Sequence, residues 1–132
     1  MAYDILIVDD SRIMRKILKQ SFTLSGFEVG NCLEAGNGQE ALNILNSSMV
    51  DLILADLNMP VMNGLDMIKA LQKDKKHREI PVVLVTTEGG GGGGQPHLEE
   101  AYALGVKAYI QKPFSPELLR DTCSRAVEER RV

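Results

Sequence analysis

"ILIVDD", Ile5 to Asp10, is the stretch from which the rest of the chain can be read. Four apolar, mostly β-branched residues stand in a row, too few for a helix, and they read as a strand buried on both faces. Two carboxylates follow at once. The same grammar returns at "LILAD", Leu52 to Asp56, and at "VVLVTT", Val82 to Thr87, each an unbroken apolar run closed by a polar group. Weaker strand candidates are Glu28 to Ala35 and Lys107 to Ile110.

Between these runs the apolar spacing becomes helical. Met14, Ile17, Leu18 and Phe22 fall on one face, as do Ala41, Leu42 and Leu45, then Leu65, Ile68 and Leu71. Leu118, Leu119, Thr122, Cys123 and Ala126 form the clearest stripe. Asn37 stands three residues before Glu40, as in a capping box, and Asn63 precedes the third helix at Gly64. Ser115-Pro116 fits an N-cap followed by proline at the first helical position, and Gly26 suits a left-handed C-terminal cap. Five strand–helix repeats predict an α/β fold, a parallel sheet with helices on both faces. One domain over residues 1–132 is expected. Only the glycine run at 89–94 resembles a linker, and neither half beside it could close such a sheet.

Composition narrows the function. Hydrophobic residues at 44% and charged residues at 25% suit a chain that buries a core, and a net charge of −3 with interspersed signs argues against a nucleic-acid surface. Cys32 and Cys123 lack metal-ligand spacing and read as reduced, partly buried thiols. No stretch resembles a signal peptide or a membrane span, so a cytoplasmic protein with no membrane contact is expected.

In open α/β sheets ligands bind beyond the carboxyl ends of the strands. The strand ends here carry Asp9 and Asp10, Asp56, Thr86-Thr87 and Lys112-Pro113. One acidic strand end would be a helix cap; this set, expected on one sheet edge, is a chemical site. Three carboxylates in one pocket repel one another unless a cation compensates. Oxygen ligands without His or Cys suit a hard ion, and Mg²⁺ takes one or two carboxylates with waters and phosphate oxygens. One Mg²⁺ and the Lys112 ammonium balance the three carboxylates. Such a pocket invites a phosphoryl group, which an aspartate can accept covalently.

"ILIVDD", "DLNMPVMNG", "VTTE" and "AYIQKPF", in their order and spacing, resemble the signature segments of the receiver domain of two-component response regulators. The resemblance spans essentially the whole chain and is closest in style to single-domain chemotaxis-type (CheY-like) members. It implies a flavodoxin-like sheet of order 2-1-3-4-5. It also implies roles: Asp56 as phosphoacceptor, Asp10 as direct Mg²⁺ ligand, Asp9 as its companion through water, and the Asn58 backbone carbonyl as a further ligand. By the same resemblance Thr86 bonds the phosphoryl oxygens, Lys112 pairs with and senses the phosphoryl group, and Tyr109 swings inward when Thr86 moves. Asn58 and Glu88 would tune dephosphorylation, and the peptide before Pro113 would be cis.

The implied partners are a sensor histidine kinase or phosphotransfer protein as donor, and a target protein on the face of the fourth helix, fifth strand and fifth helix. The flagellar motor switch is one candidate target. The protein would be a stoichiometric acceptor that assists its own phosphorylation and dephosphorylation, not a turnover enzyme. The residues agree physically: a metal and Lys112 can screen an anionic donor by position and charge, with no general base. Two alternatives stay open. One is a truncated receiver of a larger transcription factor or effector enzyme. The other is an aspartate-nucleophile phosphohydrolase, which would need a second Asp two residues on, where Asn58 stands.

Other features read plainly. Without the motif, Tyr109 is a strand residue with a hydrogen-bonded hydroxyl. Met59, Met62 and Met67 read as core and loop filler, and His77, in "KDKKHRE", and His97 as surface residues. The six glycines lead into Gln95-Pro96-His97 rather than the Gly-Lys-Ser/Thr of a phosphate loop. They read as a flexible insertion, natural or engineered, before a fourth helix that starts no earlier than Gln95 or Pro96.

Overall fold

The computed structural model describes residues 2–87 and 96–130, with backbone alone for Pro96, His97 and Arg130. The apolar runs form the strands β1 (Tyr3–Val8), β2 (Val29–Ala35), β3 (Leu52–Ala55), β4 (Val82–Thr86) and β5 (Ala108–Gln111). The amphipathic stretches form α1 (Arg12–Ser25), α2 (Gly38–Leu45), α3 (Gly64–Gln72), α4 (Pro96–Ala103) and α5 (Pro116–Arg130). All five strands pair in parallel, in the order β2-β1-β3-β4-β5.

Alternation along the strands divides the core in two. Leu6, Val8, Ile53, Ala55, Val82 and Leu84 point to one face, where α2, α3 and α4 add Ala41, Leu45, Leu65, Met67, Ile68, Leu71, Leu98 and Ala101. Ile5, Ile7, Leu52, Leu54, Val83, Val85 and Ile110 point to the other, under Leu18 and Phe22 of α1 and Leu119, Cys123, Ala126 and Val127 of α5. Both faces of each central strand are therefore covered, which is why the runs are continuous rather than alternating in hydrophobicity. Met67 is core, and Met59 and Met62 pack at its margin.

The caps stand where expected. Asn37 and Asn63 accept from the N–H groups of Glu40 and Asp66, Ser115 Oγ accepts from the Leu118 N–H at 3.1 Å, and Gly26 closes α1 in the left-handed region at φ 84°. Glu40 also reaches back, accepting from the Gly36 N–H at 3.0 Å.

Three expectations need correction. Ile17, 40% exposed, and Leu118, 45% exposed, do not share the buried stripes. Each lies about 100° around its helix from a neighbour that does (Leu18, Leu119), and Ser21 and Val127 fill the buried arcs instead. His77 is not a surface residue: it is 9% exposed, Nδ1 lies 2.9 Å from Asp74 Oδ2, and Nε2 lies 3.1 Å from the Leu45 carbonyl oxygen. The short turn after α3 folds back over the end of α2, so the imidazole joins two segments far apart in sequence. α4 begins at Pro96, within the expected limit. Glu88 and the glycine run at 89–94 lie outside the described residues, as does the side chain of His97.

Candidate functional site

Parallel strands all deliver their carboxyl ends to one edge, and the polar groups that close the apolar runs meet there. The Asp9 N–H donates to Ala35 O at 3.0 Å and the Asp56 N–H to Val8 O at 3.0 Å, so both aspartates leave the sheet from hydrogen-bonded ladder positions. Asp9, Asp10 and Asp56 each offer a carboxylate oxygen within 4.8 Å of the others. Asp9 is 2% exposed, Asp56 is partly buried and Asp10 faces solvent.

Lys112 arrives from the end of β5. Its Nζ donates to Asp9 Oδ2 at 3.1 Å and to Asp56 Oδ2 at 3.2 Å. Its own N–H donates to Thr86 O at 2.9 Å, so the lysine is tied by its backbone to the end of β4. A buried carboxylate such as Asp9 persists only when paired, and Lys112 is its pair. The Lys112-Pro113 peptide is cis.

The second carboxylate oxygens of Asp9 and Asp56 are held by backbone. Asp56 Oδ1 accepts from the Asn58 N–H at 3.3 Å, and Asp9 Oδ1 from the Ser11 N–H at 2.9 Å. Thr86 is fully buried at the end of β4. Tyr109 is half-buried on β5, opposite Leu84, and its ring meets Tyr102 of α4 edge-on at 6.4 Å. Asp9, Asp10, Asp56 and Lys112 thus converge; Asn58 begins the loop beside them, Thr86 and Tyr109 lie on adjoining strands, and Glu88 is outside the described residues.

This donor set fits a hard cation. Carboxylates within reach of one another supply oxygen only, and the Lys112 ammonium already bridges two of them as a monovalent charge would.

Two contributors escaped sequence reasoning. Ser11 caps α1, accepting from the Met14 N–H at 3.1 Å, and its position just after the paired aspartates is a usable signal. Arg15 reaches back from the first turns of α1: Nη1 donates to the Asp9 carbonyl and Nε to Glu34 Oε1 at 2.9 Å. Lys19 Nζ lies 2.7 Å from the other Glu34 oxygen. These bonds, Lys19 first and then Arg15, hold the Glu34 carboxyl below the usual carboxylate range. A cation bordering an apolar stripe carries no sequence mark of that reach.

A parallel 2-1-3-4-5 sheet with carboxylates and a lysine gathered at its carboxyl edge defines the class, a flavodoxin-like α/β protein with an acidic site. Residues 5–124 match the model of the response regulator receiver domain, and the chain belongs to that family. Its members are signalling domains. The chain is 40% identical over 118 residues to the chemotaxis protein CheY1 of Helicobacter pylori, covering 89% of this chain and 90% of that one. It is 36% identical over 124 residues to the chemotaxis protein CheY of Pseudomonas aeruginosa, covering 94% and 95%. Among solved structures, the chemotaxis response regulator CheY4 of Vibrio cholerae matches with a TM-score of 0.78 and 32% identity over 96% of this chain and 99% of that one. A putative response regulator from Chloroflexus aurantiacus reaches a TM-score of 0.84 at 22% identity, over 97% and 99%, a likeness of fold.

Proposed function

We propose that this chain is a single receiver domain over residues 1–132 that accepts a phosphoryl group on Asp56. The donor is a phosphohistidine of a sensor kinase or phosphotransfer protein. The observation that carries the proposal is the placement of Asp56: a carboxylate with Lys112 Nζ at 3.2 Å and two further carboxylates alongside. A carboxylate oxygen of Asp56 forms the new P–O bond as the donor's P–N bond breaks, and that electron pair leaves on the imidazole nitrogen. Lys112 meets the charge of the incoming group, and the Thr86 hydroxyl bonds its oxygens. Asp10, Asp56 and the Asn58 carbonyl, with Asp9 alongside, would hold Mg²⁺, which would supply further charge compensation.

Thr86 and Tyr109 then relay the change to the α4–β5–α5 face, which binds the target. Asn58 and Glu88 set the phosphoryl lifetime. The names of the relatives support chemotaxis-type signalling. A cytoplasmic location and the flagellar motor switch as a candidate target go with that reading. Among the described residues no helix is long and apolar enough to cross a membrane.

The test is mass spectrometry after incubation with acetyl phosphate and Mg²⁺. Wild type should gain one phosphoryl group at Asp56, and Asp56→Asn none. A stable adduct on a different aspartate of the wild type would sink the assignment.

A further inference from the structure

Asp9 is held through both its backbone and its side chain. Its N–H donates to Ala35 O at 3.0 Å, its Oδ1 accepts from the Ser11 N–H at 2.9 Å and its Oδ2 from Lys112 Nζ at 3.1 Å. Its carbonyl accepts from Arg15 Nη1, a side chain from a different element and only 16% exposed. That carbonyl belongs to the planar peptide joining Asp9 to Asp10, so its orientation sets the direction in which Asp10 leaves the backbone. Arg15 is itself fixed from β2: Nε donates to Glu34 Oε1 at 2.9 Å, and Lys19 holds Glu34 Oε2 at 2.7 Å.

We propose that Arg15, clamped by Glu34, is a positioning residue that orients the Asp9–Asp10 peptide and so aims the Asp10 carboxylate at the cation site. This rests on the cation-site reading above. The guanidinium fork suits the task because it donates in two directions from one rigid plane. A lysine donates from a single point and cannot hold the Asp9 carbonyl and Glu34 in the same way.

The charge of Arg15 and its geometry act with opposite signs. As a nearby positive charge it repels Mg²⁺, so a purely electrostatic role means that removing it tightens binding. As a positioning group, its removal weakens binding, by about ten-fold on the scale of outer-shell partners at other metal sites.

The experiment compares full-length wild type, Arg15→Met, Arg15→Lys, Glu34→Gln and Asp10→Asn. Mg²⁺ titration is one readout, and exchange of the Ser11 amide in the metal-free protein is the other. Arg15→Met and Arg15→Lys should both bind Mg²⁺ about ten-fold more weakly, the second despite its retained charge. Glu34→Gln should fall between them and wild type. In each of the three, the Ser11 amide should exchange faster than in wild type before any metal is added. Arg15→Met that binds Mg²⁺ as well as wild type or better, with Ser11 protection unchanged, overturns the proposal while Asp10→Asn still loses affinity. Wild type and Asp10→Asn with equal Mg²⁺ affinity would instead overturn the cation-site reading, and this proposal with it.

Discussion

A methyl group at Gly64 would collide with the backbone that carries Asp56. A Cβ there would lie 2.4 Å from Asp56 O and 3.0 Å from Leu57 Cα, neither of which can swing aside as a side chain end could. The glycine serves close approach: its N–H donates to Leu57 O at 3.0 Å, locking the start of α3 against the end of β3. Gly64→Ala should cost about 1–3 kcal/mol in urea unfolding, as overpacking does, and slow phosphorylation by displacing Asp56. Gly36→Ala is the control. Its nearest neighbour is the movable Glu40 Oε2 at 3.4 Å, and its stability should stay within about 0.5 kcal/mol of wild type. Equal effects at the two sites would remove the contact argument. The strand-end aspartates were legible in sequence because a carboxylate directly after a buried strand has one place to go. Gly64, Arg15 and the His77–Leu45 contact were not legible at this level, since each joins groups brought close only by the fold. Asp74, three residues before His77, was nonetheless a signal in plain view.

At the scale of elements, the loop from β3 to α3 carries a local conflict. Val61 has φ 67°, and the Met62 N–H donates to Pro60 O at 2.7 Å, a γ-turn of the rare positive-φ kind. A β-branched residue is poorly suited to that region, at a cost of about 1–3 kcal/mol. Its side chain is 84% exposed, so packing does not hold it there. The turn is instead pinned from outside, since Met62 O accepts from the Gly38 N–H at 2.9 Å and Asn63 caps α3. Val61→Asn, which tolerates positive φ, should raise stability by about 1 kcal/mol in chemical denaturation. An unchanged or lower value would show that this turn stores no strain. The elements themselves were well marked in sequence, because continuous apolar runs and side-chain caps are local signals. Stripe edges were less so. Ile17 and Leu118 sit at the border of an apolar arc, where the neighbouring helix, not periodicity, decides what is covered.

Across the whole molecule, Lys112 links the acidic edge to the sheet. Its ammonium touches Asp9 and Asp56, its N–H is bonded to Thr86 O, and β5 behind it carries Tyr109 against Tyr102 of α4. A close-packed interior responds to a displaced charge by moving between discrete arrangements rather than by yielding locally. The order of the five strands was not written in apolar periodicity; only the resemblance of four separate segments supplied it. The proposed route from Asp56 to α4 and α5 would depend on that topology, and Lys112→Ala tests it. Without the ammonium, Asp9 and Asp56 face each other uncompensated, so the metal-free variant should be less stable than wild type. Mg²⁺ should recover more stability in the variant than in wild type, because binding to the folded state alone shifts unfolding by mass action. The beryllium fluoride adduct at Asp56 should still form with Mg²⁺ present, since the carboxylate nucleophile and the other acidic groups remain. Amide shifts in α4 and α5, which the adduct should induce in wild type, should be largely absent in Lys112→Ala. If the variant forms the adduct and reproduces the wild-type shifts, the signal reaches α4 and α5 by a path that does not run through this lysine.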